Sequence, residues 1–233
     1  MVTGISSSPG AIIVVSPHYD DAVFSCGDLL ALSPGSTVVT VYTGLPRNPG
    51  ILTDWDRRCG FASAADAMRA RAMENSKALT LLQASGVDLD FLDSQYASPA
   101  DNGSDLLGDT LASTIARMQP SAVFFPLGLF HEDHIHVSDA LIAACYRFPA
   151  ILWFAYEDIP YRKRTEQVRQ RLAQLIDRGI GVTPFHLGSA ARYKASAINA
   201  YRSQFRGLGY EDGQPVLRHP EQYWRLHSNM ELL

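Results

Sequence analysis

The chain reads as an α/β protein, a Rossmann-like three-layer α/β/α fold around a mostly parallel sheet. Three observations lead there. Short β-branched or aromatic runs alternate with longer amphipathic segments along the whole chain. Glycine and proline fall mainly at the junctions between those segments. No repeat, low-complexity tract or convincing linker interrupts the alternation, so residues 1–233 are expected to form a single domain.

Ala11–Ser16, a β-branched run after Pro9-Gly10, is the expected first strand. His18 to Leu32 reads as a turn followed by a helix that ends at Pro34-Gly35, and Thr37–Tyr42 as the second strand. Thr43 to Gly60 is rich in Gly, Pro and Asn and reads as one long loop. Ser63 to Ala84 is a long helix closed by Gly86, and Leu89–Leu92 a short strand followed by a polar loop to Ser104. Leu106 to Met118 is a helix stopped by Pro120. The strands Ala122–Phe125 and Ile151–Tyr156 bracket a helix over His134–Tyr146. Thr165–Arg178 is a charged helix closed by Gly179, Val182–Leu187 a last strand and Ser189–Phe205 a last helix. From Gly207 onward the chain reads as an irregular tail, a candidate appendage or lid.

Composition narrows the function. Hydrophobic residues make up 46% and charged residues 19%, as in soluble globular proteins. The net charge is -4, the pI is near 5.9 and no basic stripe exists, so neither nucleic acid nor an anionic membrane surface is an expected partner. The apolar runs are strand-sized, well short of the roughly 20 residues a spanning helix needs. Residues 1–10 carry no charged region ahead of a long apolar run, so no secretory signal is expected. Cys26, Cys59 and Cys145 are too few and too scattered for a disulfide framework and contain no Cys-x-x-Cys. They read as reduced thiols of a cytoplasmic protein. A small-molecule substrate is the expected partner, and self-association is left open.

In an open parallel sheet, ligands bind beyond the carboxyl ends of the strands. The loops after Ser16, Thr43, Leu92, Phe125 and Tyr156 should therefore converge. Two clusters fall there: Ser16-Pro17-His18-Tyr19-Asp20-Asp21 and His131-Glu132-Asp133-His134-Ile135-His136. Together they hold four of the seven histidines, accompanied by acids at metal-site spacing. A catalytic zinc takes about three N or O ligands and keeps one position open. His18 and Asp21, three apart, can share one side of a turn that becomes helical, and His134 can supply the third ligand. Asp20 then projects about 100° away from Asp21. There it can act as a general base without ligating the ion. His131 is placed to face a substrate oxygen, and Asp133 to hold a histidine N–H. The plainer alternatives are that Asp20 and Asp21 merely cap a helix, and that His131 and His134 are solvated loop residues. His136 lies two residues past His134 and is expected at the surface or behind the site. No Gly-x-Gly-x-x-Gly, Walker A or Gly-x-Ser-x-Gly pattern is present.

Pro17-His18-Tyr19-Asp20-Asp21 resembles the Pro/Ala-His-Pro-Asp-Asp-Glu motif of the PIG-L/LmbE-like zinc N-deacetylases. His131-Glu132-Asp133-His134, followed by Val137, resembles that family's His-x-Asp-His-x-x-Val. Arg71-Ala72-Met73-Glu74, Ser85-Gly86-Val87, Phe91-Leu92, Asp93, and Lys194 with Tyr201-Arg202-Ser203-Gln204 resemble further family elements, so the similarity runs from about Ala11 to Gln204. The usual proline is Tyr19, the usual glutamate Ala22, and the late histidine Tyr201. Asp158-Ile159-Pro160-Tyr161 and Trp55-Asp56 are similar to one bacterial branch. The resemblance implies one Zn2+ or other divalent ion held by His18, Asp21 and His134, and hydrolysis of an N-acetyl group on an amino sugar or sugar conjugate. It implies Asp20 as general base, protonated His131 as oxyanion stabiliser held by Asp133, and Arg71, Asp93 and Tyr19 on the substrate side. An Arg71–Glu74 surface ion pair and simple packing of Tyr201 are the competing readings. The competing functions are a hydratase on the same scaffold, an amidase for a longer N-acyl chain, and a non-catalytic module with structural zinc.

Overall fold

A computed structural model describes residues 12–97, 104–159, 161 and 165–228. Ala11, Pro160 and residues 229–233, which belong to segments discussed above, lie outside the described residues. In chain order the elements are β1 (Ile12–Ser16), α1 (Asp21–Leu32), β2 (Thr37–Thr40), α2 (Asp54–Cys59), α3 (Ala64–Leu81), β3 (Ser85–Asp88), α4 (Ser104–Met118) and β4 (Ala122–Pro126). Then follow α5 (Glu132–Cys145), β5 (Leu152–Tyr156), α6 (Thr165–Asp177), β6 (Ile180–Phe185), α7 (Ala191–Ile198), α8 (Arg202–Leu208), α9 (Gln214–Leu217) and β7 (Tyr223–Ser228).

The strands form one seven-stranded sheet in the order β3-β2-β1-β4-β5-β7-β6. β1 pairs in parallel with both β2 and β4, and β7 runs antiparallel between β5 and β6. Side chains alternate between two cores, as a strand's two-residue period demands. Ile12, Val14, Phe124 and Phe154 face one layer of helices, and Ile13, Val15, Val123, Phe125 and Trp153 face the other. Both faces are covered, which is why the central strands are continuous apolar runs. The expected α/β/α architecture is therefore what forms. No helix of the described residues is long and apolar enough to cross a membrane.

Four local expectations change. The loop Thr43–Gly60 contains α2, capped by Thr53, whose hydroxyl accepts from the Asp56 N–H, and closed by left-handed Gly60. The strand expected at Leu89–Leu92 lies earlier, at Ser85–Asp88, as an exposed edge strand whose pairing with β2 overrides its weak propensity. The expected helix Ser189–Phe205 breaks into α7 and α8 at Asn199–Tyr201. The tail is not an irregular lid: it carries α9 and then β7, which enters the sheet with Tyr223 and Leu226 buried.

The sheet order reverses between β1 and β4, whose chain continues outward to β2 on one side and β5 on the other. That switch point opens a crevice at the strand carboxyl ends. Both chemistry-bearing clusters sit on its rim, one after β1 and one after β4.

Candidate metal centre

Ser16 shapes the first loop. Its hydroxyl donates to the His18 carbonyl and accepts the Ala22 N–H at 2.9 Å, so the chain turns at once into α1. Asp20 occupies the N-cap position of α1 but makes no capping hydrogen bond, which removes the simple capping explanation for it. Asp21 Oδ2 accepts the His18 N–H at 2.8 Å and stands 3.1 Å from His18 Nδ1 and 3.2 Å from His134 Nε2. His18, Asp21 and His134 each offer a donor atom within 4.8 Å of the other two. His134 is 1% exposed, which excludes a solvated loop role.

The second loop is bent by two left-handed residues, Gly128 (φ 84°) and Phe130 (φ 66°), before α5 begins. His131 caps α5: its Nδ1 accepts the Asp133 N–H at 3.3 Å. In the neutral ring the proton then sits on Nε2, and the ring lines the cavity. Burial, with the neighbouring His18 and His134 charges, lowers its pKa. Asp133 is closer to a different histidine than expected. Its Oδ2 lies 3.0 Å from His18 Nε2 but 3.8 Å from His131 Nδ1, and it also accepts the Ser94 N–H and hydroxyl at 3.2 and 3.0 Å.

Charge in this crevice is tightly organised. Burial pushes the Asp20 carboxyl up to about 7, reinforced by the adjacent Asp21 charge. Asp21 goes the other way: burial raises it, but the His134 and His18 contacts outweigh this and hold it far below the carboxylate range. Burial opposes protonation of His134, yet the Asp21 charge and the Asp158 hydrogen bond raise it to about 9. Two imidazoles and one carboxylate converge, and each imidazole's remote nitrogen is held by a buried acid: His18 by Asp133, His134 by Asp158 at 2.6 Å. That donor set suits a borderline divalent cation with one side left toward the cavity.

The cavity, of about 470 Å³, has a mixed lining: Asp20, Arg71, Asp93 and Gln95 are among its polar side chains, and Trp55, Met68, Ile159, Tyr161 and Leu208 among its apolar and aromatic ones. Arg71 does not pair with Glu74: it is buried, its Nη2 donates to Asp56 Oδ1 at 2.7 Å, and Glu74 accepts instead from Ser203. Asp93 lines the cavity 3.9 Å from His18 Nε2, steadied by Gln95. Tyr19 also lines it, but its hydroxyl is turned to Asp88 at 3.1 Å. Tyr201 is buried packing, its hydroxyl donating to the Tyr19 carbonyl and Asn75. His136 is exposed beside Glu132. The supporting roles of Asp158, Ser94 and Asp56 emerge only from the folded chain. Only Asp158 carried a usable signal, its position two residues past the end of a central strand.

An α/β fold with a His/Asp/His cluster able to hold a metal ion at its switch point defines the class. The family follows from comparison: residues 13–145 match the model of the PIG-L family, GlcNAc-PI de-N-acetylase, and the chain belongs to it. A 2'-N-acetylparomamine deacetylase from Streptomyces fradiae is 25% identical over 84% of this chain and 74% of its own. The crystal structure of an A40926 pseudoaglycone deacetylase superposes with a TM-score of 0.79 at 27% identity, covering 95% of this chain and 99% of that one. A zinc-inhibited form of teicoplanin deacetylase shares the fold, with a TM-score of 0.77 at 21% identity over 93% of this chain and 98% of that one.

Proposed function

We propose that this chain is a zinc-dependent hydrolase that removes the N-acetyl group of an amino sugar within a small-molecule conjugate. The observation that carries the reading is the convergence of His18, Asp21 and His134 beside Asp20, a carboxyl outside the ligand set at the edge of an open cavity. The relatives named for 2'-N-acetylparomamine and for the A40926 pseudoaglycone support the substrate class. A cavity of this size lies in the ordinary range for a small-molecule site, roughly 300–1,000 Å³.

His18, Asp21 and His134 would hold the ion, and Asp133 and Asp158 would orient the two imidazoles. A divalent cation there supplies Lewis-acid polarisation of an amide carbonyl and acidifies water. Asp20 takes a proton as water adds to the carbonyl carbon, and returns it to the nitrogen as the C–N bond breaks, releasing acetate and the free amine. The burial-raised Asp20 suits both halves of that exchange. His131 donates its Nε2–H to the oxygen that becomes negative. Arg71 and Asp93 offer a donor and an acceptor to sugar hydroxyls, and Tyr19 contributes to the wall. Cys26 and Cys59 are buried and unpaired, which favours a reducing compartment, the cytoplasm.

The test is a panel of N-acetylated and longer N-acylated amino sugars and conjugates, assayed for amine release with and without a chelator. We expect amine and acetate in equal amounts, loss on chelation and recovery with Zn2+. A product heavier by one water, with no amine released, would instead identify a hydratase.

A further inference from the structure

Behind the His134 ring lies Asp158, 1% exposed, whose two oxygens have different surroundings. Oδ1 faces His134 Nδ1 at 2.6 Å. Oδ2 accepts the backbone N–H groups of Gly128 and Leu129, each at 3.1 Å. The loop that provides those groups is itself fixed. Gly128 is left-handed, and a Cβ there would meet Ser138 Cβ at 2.9 Å. Arg171, reaching over from α6, donates from Nε to the Leu127 carbonyl at 2.9 Å and from Nη2 to Ser138 Oγ at 3.0 Å. Two backbone donors thus occupy Oδ2 permanently, and the orientation of the carboxylate is set.

We infer that Asp158 is a positioning residue that decides which nitrogen of His134 carries the proton. A neutral imidazole has one N–H and one lone pair. An acceptor locked against Nδ1 draws the N–H to that side and leaves the Nε2 lone pair facing Asp21 Oδ2, 3.2 Å away. That is the nitrogen needed for the cation. The inference rests on the metal site proposed above and extends it inward, from the ligand to the loop that selects the ligand's tautomer.

The geometry makes asparagine a sharper probe than alanine. In Asp158→Asn, the Gly128 and Leu129 N–H groups demand the amide oxygen, so the NH2 must turn toward His134. The ring then accepts at Nδ1 and carries its proton on Nε2, where it blocks the cation. Asp158→Ala imposes no tautomer but strands two buried N–H groups. Stability and metal affinity should therefore rank in opposite orders: the Asn variant folds more stably than the Ala variant yet binds metal more weakly. A purely structural role would rank both properties the same way.

The experiment strips the full chain of metal and titrates it with Co2+ against a chromophoric chelator, with thermal unfolding of the metal-free forms alongside. We expect Asp158→Ala to bind about 10-fold and Asp158→Asn about 100-fold more weakly than the parent, with the Asn variant melting higher. Co2+ affinity of the Asn variant equal to the parent's, or tighter than the Ala variant's, would overturn the inference. A second measurement needs no variant: in the parent loaded with NMR-active cadmium and nitrogen-labelled histidine, coupling should appear at Nε2 of His134 while Nδ1 keeps its proton. Coupling at Nδ1 would overturn it equally. A parent chain that binds no divalent ion would sink the metal site and this inference together, whereas normal parent binding with an unaltered Asn variant sinks this inference alone.

Discussion

Asp20 and Asp21 are neighbours in sequence with opposite fates. One turn of backbone sends Asp21 between two imidazoles and leaves Asp20 in a partly buried niche where its carboxyl is pushed up to about 7. Their variants should separate binding from chemistry. Asp20→Asn is expected to keep one equivalent of bound cation by elemental analysis and to lose about 10²–10⁴-fold in turnover. Asp21→Ala is expected to lose the cation itself. A near-parental rate for the first, or full metal content in the second, contradicts the assignment. At this scale the side chains that converge were legible, because metal chemistry restricts the residue types and the spacing is local. The partners behind them were not. Asp133 pairs with His18, 115 positions away, and Asp158 with His134, 24 away. Nothing in the spacing of isolated acids says which imidazole they will meet.

At the scale of elements, α2 shows how a true signal is masked. Thr53 as cap, Asp54 and Asp56 in the first turn, Arg57 and Arg58 in the last and Gly60 as terminator are all helix signals. The helix itself spans only six residues within a Gly/Pro/Asn-rich stretch, too few for a periodic pattern. The helix persists because it packs on α8, and the contact is close. A Cβ on Gly207 would lie 2.6 Å from Cys59 Sγ and 2.9 Å from the Trp55 ring. Gly207→Ala should therefore cost about 1–3 kcal/mol of stability. Because Trp55 lines the cavity, it should also raise KM more than it lowers kcat, as steady-state kinetics with the best substrate of the panel would show. β7 makes the complementary case. Its sequence reads as tail because a strand that closes a sheet late in the chain has its partners elsewhere, here β5 and β6. Removing residues 222–233 should leave β6 without a neighbour and yield an insoluble or molten chain by circular dichroism. A lid in the same place could be removed with the fold intact.

Taken as a whole, the molecule gathers one group of buried charges at the β1/β4 switch, between two well-packed apolar layers. Binding of a cation there couples to global stability, because the unfolded chain has no such site. With ion at about 1,000 times Kd, linkage is worth about 4 kcal/mol, or about 10 °C in a domain of this size. Chelation is thus expected to lower the melting temperature by that amount and re-addition of Zn2+ to restore it, both readable by calorimetry. An unchanged melting temperature would mean that no cation is held. At this scale the architecture was largely readable. Apolar runs covered on both faces and alternating with helices have few packed solutions, and a crossover sheet places its crevice at the strand ends.

The amino-acid order by itself determined the layer architecture, the loops that carry chemistry and the three side chains suited to a cation, because hydrophobic period and ligand chemistry are local properties. Tertiary structure alone decided that the tail completes the sheet, that His131 caps α5, and that Asp133 stands behind His18 and Asp158 behind His134. Those outcomes depend on which backbone donors and buried rings meet across distant parts of the chain, and such meetings are settled by packing, not by spacing.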